Sequence, residues 1–256
     1  MYYKNRMNGT SVTAWLILIN VVIFVLQQIF RDITIYYFSL IPAFVTNKYF
    51  VWQIFTHMFM HGNLLHLFFN MFSLFLFGSP LEQLWGPKRF LTYYIISGLG
   101  GGLLHYFINI NSVIPSIGAS GAVYGVLLAY GMTFPETILY LNLFFPVKAK
   151  YAVIIFGVME LFFGLTNTRS GIAHFAHLGG LLTGFIYLKL EHKLFMGLSK
   201  VKSTRVYKNF EELDYQRKKE KLDSLLDKIS SGGYQKLSES EKYELDDLSR
   251  WFRDNG

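Results

Sequence analysis

Between residues 12 and 190 the chain alternates long apolar runs with short polar breaks. Six runs are long enough to be read as membrane helices, at roughly 12–30, 64–79, 90–109, 117–134, 148–166 and 171–189. The pattern predicts an all-α polytopic membrane domain over residues 1–190, built as a six-transmembrane-helix bundle. The longest connection, residues 31–63, is itself rich in aromatic and apolar residues and is expected to lie in the membrane interface. The N-terminus begins like a signal peptide, but its apolar stretch runs from about Val12 to Phe30 without a small-residue cleavage site, so it reads as a retained first span. Past residue 190 the pattern changes to a basic juxtamembrane linker over 191–209 and a soluble tail over 210–256. In the tail Leu222, Leu225, Leu226 and Ile229 recur at helical spacing, SSGGY (Ser230–Tyr234) breaks the run, and Ser238 with Glu241 forms a capping box. A small C-terminal cytoplasmic helical hairpin is expected.

Composition supports this division. Hydrophobic residues make up 52% of the chain and aromatic residues 18%. Residues 1–190 hold ten Lys/Arg against four Asp/Glu, whereas residues 191–256 hold fourteen against thirteen. Of the net charge of +7, +6 sits with the membrane part and reads as topology, with no nucleic-acid partner implied. Lys4, Arg6, Lys88, Arg89, Lys148, Lys150, Lys189, Lys193, Lys200, Lys202 and Arg205 fall on one side of the predicted bundle, and Arg31, Lys48 and Arg169 on the other. The positive-inside rule then makes both termini cytoplasmic and sends the second, fourth and sixth spans inward. The strip from Lys189 to Lys208 has six basic residues and one acidic, Glu191, which suits contact with anionic lipid headgroups. There is no cysteine, which removes disulfides, thiolate metal sites and cysteine nucleophiles.

The inward direction of three spans places their polar residues in depth. With the inner boundary at Pro80, Pro135 and Lys189, Ser120 lies roughly 22 Å, His66 roughly 21 Å and His177 roughly 18 Å above it, at about 1.5 Å per residue. Asn70 follows His66 at i+4 and shares its face. Polar side chains at such depth are costly unless they converge on a partner or a cavity, so this layer is the candidate site. A serine needs a base to become a nucleophile, and histidine is the usual one near neutral pH. Ser120 as nucleophile and His177 as base form an economical pair. The only carboxylate in the predicted helical core, Glu160, sits in the outer half of the fifth span; it is placed to orient a polar group near the site or to partner a neighbouring helix. The amide of Ser120, at a helix N-terminus, together with His66 and Asn70, makes a candidate oxyanion hole. Gly121 with Gly125 and Gly180 with Gly184 have GxxxG spacing, which lets two helices approach closely and brings Ser120 toward His177. Tyr124, one turn from Ser120, can hold the imidazole flat.

These residues fall in four ordered segments: HGNLLHLFFN (His61–Asn70), EQLWGPKRF (Glu82–Phe90), GASGAVYG (Gly118–Gly125) and AHLGGLLTG (Ala176–Gly184). Together they resemble the rhomboid family of intramembrane serine proteases across essentially all of residues 10–190. The resemblance implies Ser120 and His177 as the catalytic dyad, His66 and Asn70 as oxyanion donors, Tyr124 stacked on His177, and Gly118 beside the hole. It also implies that His61 helps hold the first loop and its water, and that Arg89 with Glu82 organises the loops. One departure is that the glycine preceding the Ala176–His177 pair is Gly171, one residue further away than the family spacing. The expected partners are single-span membrane proteins, cleaved near the outer face of a bacterial plasma (inner) membrane, with no cofactor and no metal.

Two other readings compete. A zinc enzyme would draw on His57, His61, His66, His105, His174 and His177, but HExxH is absent and HGNLLH has the wrong spacing for two ligands on one helical turn, although His174 and His177 at i+3 could share a metal. His105 and His174 read as structural histidines. A non-catalytic rhomboid-like protein that binds client transmembrane helices would need neither Ser120 nor His177.

Overall fold

The computed structural model describes residues 11–141, 144–166, 173–196 and 203–255. Gly171, Arg169, Lys4, Arg6, Lys200 and Lys202, used above for spacing and charge, lie outside the described residues. The chain divides into two compact units, Met1–Glu191 and His192–Gly256.

The first unit is turned inside out relative to a water-soluble bundle. Helix α1 (Val12–Ile29) buries Thr13, Leu16, Asn20 and Gln27 on one stripe. Trp15, Leu18, Ile19, Val22, Val25, Leu26 and Ile29 face outward. Its N-terminus is held by Glu82, whose carboxylate accepts from the Ser11 hydroxyl at 2.6 Å, the Val12 and Thr13 amides at 2.7 and 2.9 Å, and the Thr13 hydroxyl at 2.7 Å. A carboxylate there satisfies amides that have no intrahelical acceptor and sits at the positive end of the helix dipole. Arg89 bonds Glu191 at 2.6 Å. Glu82 and Arg89 thus clamp opposite ends of different helices.

The connection after α1 is helical: α2 (Arg31–Phe38), α3 (Pro42–Lys48) and α4 (Gln53–Thr56), followed by a 3₁₀ turn at His57–Phe59. Buried Gln53 staples it together, accepting from the Ile41 amide at 3.1 Å and donating to the Tyr36 carbonyl at 3.0 Å. Helix α5 (Leu64–Ser73) starts at Asn63, whose side chain caps the His66 amide. It passes through a π turn at Leu74–Gly78 into α6 (Ser79–Trp85). The second span was expected to end near Pro80, yet helix continues to Trp85. The wider turn just before Pro80 accommodates a residue that cannot donate to the carbonyl four positions back.

Helix α7 (Pro87–Ile108) supplies the buried Phe90, Tyr93 and Tyr94. Helix α8 (Ser120–Thr133) is the central element; Gly121, Ala122, Val123, Gly125, Val126, Leu127, Ala129 and Gly131 are all buried. Between α8 and the next helix the expectation of an all-α domain meets a small exception. Ile138–Leu141 (β1) and Phe145–Lys148 (β2) pair antiparallel, with Ile138 opposite Lys148. Aromatic and aliphatic residues in these short runs favour strand over helix, and Pro146 is tolerated because a two-stranded sheet is all edge. Helices α9 (Ala149–Thr166) and α10 (His174–Met196) complete the unit.

Among the described residues three helical stretches are long and apolar enough to cross a membrane: Val12–Ile29, Leu64–Trp85 and Ala149–Thr166. The other expected spans differ for physical reasons. Helix α8 has only 14 residues, and α7 and α10 carry glycine, serine, tyrosine and histidine on the faces they bury.

In the second unit α11 (Ser203–Gly232) turns through a 3₁₀ segment at Tyr234–Lys236 into α12 (Glu239–Asn255). Helix extends from both sides into residues 191–209, since α10 reaches Met196 and α11 begins at Ser203. Leu225, Leu237 and Leu248 form the small core, with Leu222, Ile229 and Leu245 against it. Leu226 differs from the expected stripe and faces outward. The capping box forms as the spacing implies: the Ser238 amide donates to Glu241 at 2.9 Å and the Glu241 amide to the Ser238 hydroxyl at 3.3 Å.

Bonds from Lys228 first, then from the Ser238 amide and hydroxyl, hold the Glu241 carboxyl down at about 2, against 4.5 when free. A lowered carboxyl contributes stability above its unfolded value that is lost as pH falls through the folded one. Amide protection of residues 238–255 in hydrogen exchange is therefore expected to decline between about pH 4.5 and pH 2. Glu241→Gln should remove that decline, and an unchanged pH response would show that the cap does not carry it.

Candidate active site

The segment before α8 is stitched to the helical loop that follows α1. Leu40 and Ser116 exchange backbone bonds at 2.9 and 2.8 Å, and the Gly118 amide donates to the His57 carbonyl at 3.0 Å. The loop is anchored from α1 as well: Gln27 donates to the His61 carbonyl at 2.7 Å and accepts from the His61 amide at 3.0 Å. Residues 112–119 are thereby delivered at a set height, and Ser120 opens α8.

Ser120 Oγ lies 2.7 Å from His177 Nε2. The two residues are 57 positions apart, and their helices meet at glycine. A Cβ on Gly180 would overlap the Gly121 carbonyl, with the carbonyl carbon at 2.6 Å. A third helix joins them, for a Cβ on Gly101 of α7 would lie 2.6 Å from the Ala176 carbonyl oxygen and 3.3 Å from Gly121 Cα. The sequence reading named the glycines on α8 and α10 but not those on α7. The run GLGGG at Gly98–Gly102 was the signal available for them.

Around the pair, the Tyr124 ring lies flat on His177, with centroids 4.4 Å apart and planes 7° from parallel. Gly118 has φ +133°, a conformation that favours glycine, and a Cβ there would stand 2.8 Å from His66 Nε2 and 3.4 Å from Ser120 Oγ. Those two atoms therefore flank one small space. His66 Nδ1 accepts from the Gly62 amide at 3.3 Å, which leaves the ring proton on Nε2, facing that space. Asn70 is buried one turn further along α5 and gives one amide hydrogen to the His66 carbonyl at 2.9 Å, keeping a second. The His61 ring packs edge-on to His66 at 5.2 Å, and both its nitrogens are buried without a protein partner.

The residue sequence reasoning placed least firmly is the most connected. Glu160 of α9 accepts from the Tyr124 hydroxyl through Oε1 and lies 2.6 Å from His174 Nδ1 through Oε2. Oε1 also stands 3.0 Å from His177 Nδ1, within ion-pair distance, although the ring N–H direction is too oblique for a straight hydrogen bond. A glutamate in an apolar span was the signal, and without tertiary contacts its partner could not be chosen.

Helices with apolar outward faces define the class, a polytopic helical membrane protein, here with a half-buried serine in contact with a buried histidine. Residues 48–194 match the rhomboid domain, and the chain belongs to the rhomboid family. Among similar proteins, RHOMBOID-like protein 1 of Arabidopsis thaliana is 34% identical over 145 residues, 56% of this chain and 35% of the relative. Rhomboid-like protease 3 of Toxoplasma gondii is 31% identical over 143 residues, 56% of this chain and 52% of the relative. Rhomboid protease GluP of Bacillus subtilis is 32% identical over 138 residues, 52% of this chain and 25% of the relative. The chain thus spans about half the length of these relatives or less. Residues 209–251 match a family of unknown function, DUF6576.

Proposed function

We propose that this protein is an intramembrane serine endopeptidase that cleaves transmembrane segments of single-span membrane proteins near the outer face of the bilayer. The observation that carries the reading is the 2.7 Å contact between Ser120 Oγ and His177 Nε2. As the Ser120 oxygen bonds to the scissile carbonyl carbon, its proton passes to His177 Nε2. The oxyanion is met by the first amides of α8, which have no intrahelical acceptor, by the Nε2–H of His66 and by the free amide hydrogen of Asn70. His177 gives its proton to the leaving amine as the C–N bond breaks, then takes one from the water that attacks the acyl-enzyme and returns it to Ser120 Oγ as the acyl–oxygen bond breaks. Tyr124 limits the imidazole to the plane this transfer needs, and Gly118 leaves room for the oxyanion.

Six membrane helices fit the reading, with α7, α8 and α10 added to the three apolar spans. A helix of 14 residues is about 21 Å long, less than a hydrocarbon core of about 30 Å, so α8 can begin below the surface. A substrate helix must unwind to expose a carbonyl there, which favours segments rich in small or helix-breaking residues. The test is covalent labelling of the purified chain by a fluorophosphonate. Wild type should be labelled and Ser120→Ala should not, and an unlabelled, well-folded wild type would refute the reading.

Orientation is open to a separate measurement. With both termini cytoplasmic, cysteines introduced singly at Lys88 and Lys150 should be protected from an impermeant thiol reagent in intact cells and should react after lysis. Reaction at both from outside would reverse the topology and place Ser120 near the inner face.

A further inference from the structure

Ser120 and His177 make a sufficient nucleophile and base, and neither explains why a carboxylate is buried beside them. Glu160 is about 8% exposed on a helix whose other faces are apolar. A lone carboxylate at that depth is costly, so its position is sustained by what it contacts. Those contacts are the Tyr124 hydroxyl, His174 Nδ1 at 2.6 Å and His177 Nδ1 at 3.0 Å. Two of the three belong to the base itself or to the ring stacked on it.

We propose that Glu160 is a positioning residue for His177, extending the serine–histidine pair into a three-residue relay; the proposal rests on the protease reading above. His177 can accept the Ser120 proton only if its Nε2 lone pair is free, which requires the ring hydrogen to reside on Nδ1. An anionic oxygen 3.0 Å from Nδ1 selects that tautomer. When the Ser120 proton arrives on Nε2, the imidazolium faces a carboxylate in a low-dielectric setting, where the attraction is much stronger than in water. Glu160 stays ionised, the Nδ1 hydrogen stays on the ring, and the Nε2 proton goes on to the leaving amine. Because the Nδ1 contact is oblique, Glu160 works partly through Tyr124: by accepting that hydroxyl it holds the ring that fixes the imidazole plane.

The same three groups, Glu160, His174 and His177, could be read as a metal site, since their ligand atoms lie within 4.8 Å of one another. The spacings argue otherwise. Two ligands on a tetrahedral zinc at 2.0–2.1 Å stand about 3.3 Å apart. The 2.6 Å between Glu160 Oε2 and His174 Nδ1 is a hydrogen-bond distance.

The experiment uses the full chain in liposomes with a single-span substrate and a fluorophosphonate. Glu160→Gln keeps the shape but loses the charge: whichever group then stands where Oε1 serves both Tyr124 and His177, a neutral oxygen or an NH2, Nδ1 no longer faces an anionic acceptor. It is expected to lower kcat on the order of 10²-fold to 10⁴-fold with KM unchanged, to slow labelling in parallel, and to be partly rescued by Glu160→Asp. A folded Glu160→Gln chain that labels and cleaves at the wild-type rate would overturn the relay and leave the protease reading standing. A wild type that is never labelled would remove both. Activity lost to a chelator and restored by zinc would give Glu160 to a metal instead. Should Glu160→Gln not fold, nitrogen-15 resonances of His177 in the wild type decide: a protonated Nδ1 supports the relay, and a protonated Nε2 overturns it.

Discussion

Ser120→Ala and His177→Ala are each expected to reduce cleavage of a single-span substrate by about 10⁶-fold in kcat, the scale seen when a serine nucleophile or its base is removed. In the proposed mechanism the two act as one device: the imidazole, 2.7 Å away, removes the hydroxyl proton as the new bond forms, so loss of either partner leaves only the polarising groups around the carbonyl. The double variant should therefore be no slower than either single one. His66→Ala and Asn70→Ala act on the oxyanion alone and should each lower the rate by about 10²-fold to 10³-fold while keeping some fluorophosphonate labelling. Rates should be compared in proteoliposomes at equal amounts of folded protein. A Ser120→Ala chain cleaving at the wild-type rate would dispose of the mechanism.

Gly180→Val is expected to be the most damaging substitution away from the reacting atoms. Its Cβ would overlap the Gly121 carbonyl, and what must yield is backbone on the neighbouring helix rather than the end of a flexible side chain. Overpacking of this kind costs about 1–3 kcal/mol or more. Parting α8 from α10 by an ångström also breaks the Ser120–His177 contact, and a misplacement of that size costs about 10²-fold in rate. Both the thermal midpoint in detergent and the cleavage rate should fall. Gly157→Ala in α9 is the control, because its Cβ would meet only Leu181 Cδ1, at an ordinary 3.6 Å. It should leave both readouts near wild type, or raise the midpoint slightly through helix propensity. If Gly180→Val melts and cleaves like wild type, close helix approach is not what assembles the site.

The sequence alone determined the apolar segments, the change of character after residue 190 and the capping box at Ser238, because each rests on local periodicity or on residues three apart. Ser120, His66 and His177 were legible as one layer, with Asn70 on the face of His66, since a helix of constant rise turns position into depth. The tertiary structure decided what periodicity does not encode. The helix begun by α5 continues past Pro80 as α6 because a π turn absorbs the missing donor, and Glu82 secures α1 across about seventy positions. The glycines of α7 matter because three backbones, not two, meet at Gly101, Gly121 and Gly180. Glu160 shows the limit best. Its cost in an apolar span was readable from its type, but whether it faced Tyr124, His174 and His177 or another helix depended on how α9 turns about its axis, which packing alone sets.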